Sequence, residues 1–230
     1  MDNTIELCRN CSIKSNAVSI LNNEELSVLE KACLQLKFKK GELVFKEGTP
    51  ANQIVYLREG FVKLSKRGVG GKEYILSISK KGAYLGIHNL DKAVRQYYVS
   101  ATSITDCEVC FIDIDKFALL LKRNGNFALE VISYIFDDEM NYFERLIKNV
   151  QQQLPGRLAN TLFYFTEQVY GENSFNMNLT KTELASLIGT SRESVTRLLK
   201  EFQDDDIINI EKNRITILDR DKLENIRMKG

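Results

Sequence analysis

The sequence predicts an α+β fold in three parts, and three observations predict it. Between Phe38 and Leu121, short apolar runs alternate with glycines. From Asn126 to Gln153 an apolar stripe continues without a Gly or Pro. Leu179–Lys200 then reads as two short capped helices around a glycine. The 230 residues therefore divide into a β-rich segment 1–125, a long helix 126–153 and a small domain 154–230.

In the first part a helix is expected near Asn23–Leu36. The strands follow as Leu43–Phe45, Ile54–Leu57, Phe61–Leu64, Tyr74–Ile78, Tyr84–Ile87, Tyr97–Ala101 and Val109–Ile114. Turn signals sit at Gly41, Gly48, Gly60, Gly70-Gly71, Gly82 and Gly86. Short strands at regular spacing read as an all-β barrel or sandwich.

The long helix carries Leu129, Ile132, Phe136, Met140, Phe143, Ile147 and Val150 at steps of three or four, as a coiled-coil seam requires. A second stripe holds Ile135, Tyr142 and Leu146. A helix apolar on two faces must be covered on two sides. Its own β domain can cover one and a partner's helix the other, which predicts a homodimer. The competing reading is one helix buried in a monomeric core.

The third part opens with an amphipathic helix, Gly156–Tyr170, whose apolar positions are Leu158, Leu162, Phe163, Phe165 and Val169. Thr180 followed by Glu183 is a capping box, and Leu184, Ala185, Leu187 and Ile188 form the inward face behind it. Gly189 supplies the positive φ of a tight turn. A second helix starts at Thr190 or Ser191 and buries Val195, Leu198 and Leu199. That spacing is a helix-turn-helix. Arg192, Glu193, Thr196 and Arg197 are left pointing outward, where a recognition helix reads base edges in the major groove. Beyond Asp204-Asp205-Asp206, the runs Ile207–Ile210 and Ile215–Leu218, joined by Glu211-Lys212-Asn213-Arg214, predict a hairpin wing. The candidate contacts to double-stranded DNA are Thr180, Ser191, Arg192, Glu193, Thr196, Arg197 and Lys200, with Lys212 and Arg214 on the wing.

Composition agrees with an intracellular regulator. The apolar content is 43%, enough for real cores. No apolar run reaches the length of a membrane span, and Met1–Arg9 contains acids and no apolar signal core, so a cytoplasmic location without membrane contact is expected. Net charge is only +1, so attraction to DNA must come from a local patch. Catalysis finds little support. The chain has one histidine, no Gly-x-Ser-x-Gly, no phosphate-binding Walker loop and no His-Glu-x-x-His.

Thr190-Ser191-Arg192-Glu193-Ser194-Val195-Thr196-Arg197-Leu198-Leu199-Lys200 resembles the recognition helix of the CRP/FNR transcription regulators, with the Arg-Glu-x-x-x-Arg motif intact. Pro155-Gly156-Arg157-Leu158-Ala159 is similar to the family's lead into the DNA-binding domain, and the resemblance extends over almost the whole chain. It implies a β-roll of the cyclic-nucleotide-binding type (a jelly roll), a long dimerisation helix and a C-terminal winged helix-turn-helix. It also implies RNA polymerase as a partner, an unknown small-molecule effector, and a DNA half-site close to TGTGA.

Relatives that bind a cyclic nucleotide carry a Gly-Glu pair and an Arg-Ser or Arg-Thr pair. Here the first region reads Gly82-Ala83-Tyr84-Leu85-Gly86-Ile87-His88-Asn89, without the glutamate. Tyr97 and Tyr98 stand where the second pair belongs, and Arg95 is two residues out of register. An anionic phosphate needs a cation or an array of N–H donors. The expectation is therefore an effector other than cyclic AMP, entering near Tyr84, Leu85, Gly86, His88, Arg95, Tyr97 and Tyr98. Tyr97 and Tyr98 read equally as core aromatics.

Five cysteines, Cys8, Cys11, Cys33, Cys107 and Cys110, are an odd number and argue against a disulfide framework. Cys8-Arg9-Asn10-Cys11-Ser12-Ile13 resembles the start of the iron–sulfur ligand segment of the family's oxygen sensors, with Cys110 near the distant ligand. Ala17, however, occupies the third ligand position. A four-iron cluster normally takes four thiolates. One ligand would then have to come from Cys33, Cys107, His88 or a non-protein group. Cys33 reads as a buried helix residue, and Cys107 and Cys110 read as strand residues. No cofactor is expected. Two alternatives stay open: an iron–sulfur or haem sensor using Cys8, Cys11, Cys110 or His88, and a ligand-binding module whose C-terminal domain contacts only protein.

Overall fold

The computed structural model describes residues 8–11, 14–90 and 95–230. These fall into two compact units, one within Met1–Lys66 and Ile78–Met140, the other within Arg67–Ser77 and Asn141–Gly230. Ser12 and Ile13, part of the segment that resembles an iron–sulfur ligand run, lie outside the described residues.

The first unit begins with a short 3-10 turn at Cys8–Asn10, helix α1 (Asn16–Ile20) and helix α2 (Asn23–Lys31). Asn22 caps α2, and Glu25 completes the capping box. The helix expected to run to Leu36 stops at Lys31, and Cys33–Phe38 is strand β1. Pairing decides this. Cys33-Leu-Gln-Leu-Lys-Phe38 alternates with period two and lies antiparallel to β8 (Cys107–Asp113), Cys33 opposite Ile112 and Gln35 opposite Cys110.

The remaining strands are β2 (Leu43–Phe45), β3 (Gln53–Glu59), β4 (Val62–Arg67), β5 (Glu73–Ser79), β6 (Tyr84–Leu85) and β7 (Ser100–Ser103). They form two four-stranded sheets of order β1-β8-β3-β6 and β2-β7-β4-β5. The run expected as a strand over Tyr84–Ile87 is shorter, because Gly86 takes φ +74° and the chain turns into a 3-10 helix, Ile87–Leu90. The strand expected over Tyr97–Ala101 starts only at Ser100.

Residues Ile114–Arg123, expected as the tail of the β segment, form helix α3 instead. Asp113 caps it by accepting from the Lys116 N–H at 2.9 Å. Phe117 and Leu120 of α3 join Phe127 and Val131 of helix α4 (Gly125–Gln151), with Leu29 and Ile54, in the core of this unit. Along α4 the two apolar stripes have different fates. Of the second stripe only Ile135 packs on the core, beside Phe127, Val131 and Tyr134; Tyr142 is half-buried and Leu146 is exposed, because the core of this unit ends before that turn of the helix. Leu129, Ile132, Phe136, Met140, Phe143, Ile147 and Val150 are all exposed.

In the second unit, Gln153 is extended and precedes helix α5 (Leu154–Tyr164) without a side-chain cap, and the first turn of the helix holds Pro155. The chain continues through a π-helical turn, Phe165–Val169. Helices α6 (Lys181–Ile188) and α7 (Arg192–Asp204) follow, then a hairpin of β10 (Ile208–Glu211) and β11 (Arg214–Ile217), then helix α8 (Arg220–Lys229). A third strand, β9 (Ser174–Asn176), pairs with β11 and was not evident in the sequence. The core is Leu158, Ala159, Leu162, Leu184, Ile188, Val195 and Leu223.

Candidate DNA-reading surface and thiol cavity

Local chemistry builds the reading surface. Thr180 Oγ1 accepts from the Glu183 N–H at 3.2 Å, and the Glu183 carboxylate accepts from the Thr180 N–H at 2.8 Å. Gly189 ends α6 at φ +69°, and its N–H reaches the Ala185 carbonyl. Ser191 caps α7 by accepting from the Ser194 N–H at 3.2 Å. Arg157 pins the same turn: its Nε donates to the Gln152 carbonyl at 2.9 Å and its Nη1 to the Ile188 carbonyl at 3.3 Å.

With Val195, Leu198 and Leu199 buried, Arg192, Glu193, Thr196, Arg197 and Lys200 all stand exposed on the other face of α7. The backbone N–H of Glu193 itself, at the start of the helix, and then Ser191 hold the Glu193 carboxyl below the usual carboxylate range. Arg197 forms an ion pair with Glu201 at 2.7 Å, which keeps its guanidinium extended along the exposed face. Thr196 donates its hydroxyl back to the Arg192 carbonyl at 2.8 Å. On the wing, Lys212 takes φ +56° at the hairpin turn, and Arg214 Nε donates to Ser174 Oγ on β9 at 2.7 Å.

The residues expected around an effector are not gathered into one place. Tyr97 is buried, stacked on Phe45 with centroids 4.0 Å apart, and its hydroxyl donates to the Gln53 carbonyl at 2.9 Å. Tyr98 is exposed, with Lys66 Nζ 3.6 Å above its ring. Arg95 pairs with Asp115 at 2.8 Å. His88 is exposed, Leu85 is buried, and a Cβ at Gly86 would come within 2.8 Å of the Tyr97 ring.

Tyr84 belongs to a different site. With Cys8, Cys11, Lys14, Val18, Leu29, Cys33, Gln35, Tyr56, Cys110 and Ile112 it lines a cavity in the first unit. Its hydroxyl bonds with Ser15 Oγ at 2.5 Å, and its ring packs edge-on against Tyr134 of α4 at 5.7 Å. Cys33, read from sequence as a helix residue, sits at the start of β1, half-buried, facing this cavity. Its thiol hydrogen-bonds to Cys110 and Cys8. Hydrogen bonding among the three raises the Cys33 pKa and lowers those of Cys8 and Cys110. Beside them the buried Arg58 guanidinium, which donates to Gln35 Oε1 at 3.0 Å, favours the thiolate form of Cys8 and Cys110. Arg9 holds the Cys8–Cys11 segment on α2 through a bidentate pair with Glu30, 2.8 Å at the shorter contact. Cys107 is elsewhere, buried and donating to the Thr105 and Phe61 carbonyls at 3.2 and 3.3 Å. Among the described residues, no group of three or more Cys, His, Asp or Glu is gathered closely enough to hold a single metal ion.

Comparisons with known proteins cover both units. Residues 156–226 match the Crp-like helix-turn-helix domain and residues 35–124 the cyclic nucleotide-binding domain. The chain is 24% identical over 216 residues to the transcriptional activator protein Anr of Pseudomonas protegens, covering 92% of this chain and 88% of that one. It is 25% identical over 217 residues to the anaerobic regulatory protein of Bacillus subtilis, covering 92% and 91%. Among solved structures it shares its fold with FixK2 from Bradyrhizobium japonicum, at a TM-score of 0.75 and 15% identity over 84% of this chain and 96% of that one. A CRP/FNR-family transcriptional regulator from Thermus thermophilus is similar at a TM-score of 0.67 and 22% identity, over 85% and 99%. Among the described residues no helix is long and apolar enough to cross a membrane.

Proposed function

The chain belongs to the CRP/FNR family of transcription regulators, and we propose that it acts in the cytoplasm, without enzyme activity, as a homodimer on a two-fold-symmetric DNA site. One observation carries the reading: Arg192, Glu193, Thr196 and Arg197 stand together, exposed, on the first turns of a helix held rigidly by Gly189 and Ser191. Arg192 and Arg197 can each fork onto guanine O6 and N7, and Glu193 can accept from cytosine N4. Lys200, Lys212 and Arg214 supply phosphate contacts, which position the helix without reading sequence. Thr180, the cap of α6, faces the same backbone.

The homodimer rests on α4, whose exposed stripe Leu129–Val150 repeats the spacing of a coiled-coil seam. RNA polymerase is the partner through which such a regulator acts on transcription. Cyclic AMP is not its effector in this reading. Tyr97 is committed to packing, Tyr98 to the surface and Arg95 to Asp115, which leaves those positions without a cation for a phosphate. Selection from random DNA should return a two-fold-symmetric motif with half-sites close to TGTGA, and added cyclic AMP should leave the affinity unchanged. A motif without symmetry, or a saturable response to the nucleotide, would overturn the corresponding part.

A second reading concerns the effector. The first unit places Cys8, Cys11 and Cys110 on one cavity otherwise lined largely by apolar side chains, which favours an iron–sulfur cluster as the sensed group. The donor chemistry fits: soft thiols in a partly buried pocket beside a buried cation, Arg58. Such a cluster supplies oxygen or redox sensitivity when bound. The chain's own part is to hold it and to carry its presence through Tyr84 to Tyr134 on α4. His88, exposed and the only histidine, gives no comparable support for haem.

A further inference from the structure

The N-terminal segment lacks a third cysteine of its own, because Ala17 is buried in α1 where a ligand would be needed. The fold brings in another. On β1 the period-two alternation places Cys33 and Gln35 on the face paired with Ile112 and Cys110, while Leu34 and Leu36 take the opposite face and are 52% and 40% exposed. A register shifted by one residue would bury both leucines in place of the thiol and the amide. The observed register gives up that apolar burial and lines up Cys33 and Gln35 of β1 with Ile112 and Cys110 of β8 and Tyr56 of β3. A cysteine can serve as a small hydrophobic filler. Cys110 does sit in the core, with Cys8 and Cys33 packed against it, but all four thiols also line one cavity and none is paired by disulfide.

We propose that Cys33 is the fourth ligand of a four-thiolate site, joining Cys8, Cys11 and Cys110 around an iron–sulfur cluster. This rests on the iron–sulfur reading above. A single ion such as zinc would draw four sulfurs to about 2.3 Å from one point. Among the described residues no such grouping is present, and uptake of zinc in place of iron is one of the outcomes the test below separates. On ligation each thiol releases its proton to solvent, and no redox partner is needed for binding itself. The cluster would then tie the Cys8–Cys11 turn to β1 and β8, two neighbouring strands of the roll. Arg58 and Lys14 offset its negative charge, against Glu30 and Glu108, which are already paired with Arg9 and Lys37. Cys107 takes no part.

The test is anaerobic reconstitution of the full chain with an equal mixture of ferrous and ferric iron and with sulfide, followed by iron, acid-labile sulfide and zinc analysis and a visible spectrum. The expected result is a loaded wild type, a loaded Cys107→Ala and a Cys33→Ala whose iron and sulfide fall on the order of tenfold. A wild type that takes up no iron, or only zinc, overturns the cluster reading and Cys33 with it. Equal loading of wild type and Cys33→Ala overturns the assignment of Cys33 alone. Alkylation with mass mapping of the wild type guards against a variant that fails to fold. Cys33 should be shielded in the loaded protein and reactive after the cluster is removed with chelator, and equal labelling in both states refutes the proposal.

Discussion

Replacing Phe136 with glutamate tests the dimer through one side chain. Phe136 is 58% exposed on α4. A phenylalanine buries roughly 200 Å² when fully covered, so about 115 Å² remains for a partner to cover. At about 25 cal/mol per Å² that is about 3 kcal/mol per protomer, and about 6 kcal/mol for the two symmetry-related copies. The translational and rotational cost of association is common to both proteins and cancels in the difference. The dissociation constant should therefore rise by about four decades, and further for the carboxylate that a formed seam would bury. Because the ring is exposed within the chain, the fold of each protomer should be unchanged. Sedimentation across a concentration series reads the assembly, circular dichroism the fold, and a gel shift on the selected site the DNA affinity. A Phe136→Glu protein that sediments as wild type at submicromolar concentration would show that the seam is not where the chains meet. A monomer that binds the full site undiminished would show that dimerisation is irrelevant to recognition.

Arg197→Ala should weaken binding to the selected site by about 1–3 kcal/mol and relax one base pair, whereas Lys212→Ala should weaken all sequences alike and lower the salt dependence. Competition with single-base variants distinguishes the two. Gly189→Ala meets only Arg157 Nη1, at 3.8 Å, so its cost is the strain of a side chain at φ +69°, about 1–2 kcal/mol, and should appear as a lower melting temperature. Equal melting temperatures would refute a left-handed turn. Burial raises the pKa values of Tyr97, Tyr134 and Tyr170. Their phenols stay protonated in the folded chain while the unfolded chain ionises near pH 10. Their stabilisation is thus complete below about pH 10 and is lost as pH rises beyond it, and urea midpoints should fall there. Midpoints that stay flat through that range would contradict the burial.

How much could be read in advance depended on the range of the interactions. The reading helix was legible because everything that shapes it lies within a few residues: Thr180 with Glu183, the glycine turn at Gly189, the cap at Ser191. The wing was legible for the same reason, its two strands being joined by a tight turn at Lys212 and Asn213. Its third strand, β9, was not, because Ser174–Asn176 is recognisable only by pairing with Thr216–Arg214. The exposed stripe of α4 followed from periodicity, but the residues that face the core did not. Phe127, Val131 and Tyr134 fall there because α3, unnoticed in the sequence, packs beside them.

The amino-acid sequence by itself determined the local devices of this protein: helix caps, the glycine turn, the apolar periods, and which charged side chains a recognition helix would present. Tertiary structure alone decided what distant residues do together. Cys33 looked helical because Leu29, Leu34 and Leu36 are compatible with a continued turn, yet six consecutive partners on β8 override that preference. Tyr97 and Tyr98, adjacent in sequence, part company at a bend that precedes the strand, one ring stacked on Phe45 and the other in solvent. The sequence pointed to Cys8, Cys11 and Cys110 only by resemblance and read Cys33 as a helix residue, so the cavity that gathers all four, from an N-terminal turn and two strands, was not legible in it. Sheet register brings Cys33 to Cys110, and the docking of the N-terminal turn brings Cys8 and Cys11 to both. Register is a long-range quantity, set by which faces can be buried together, and no local pattern encodes it.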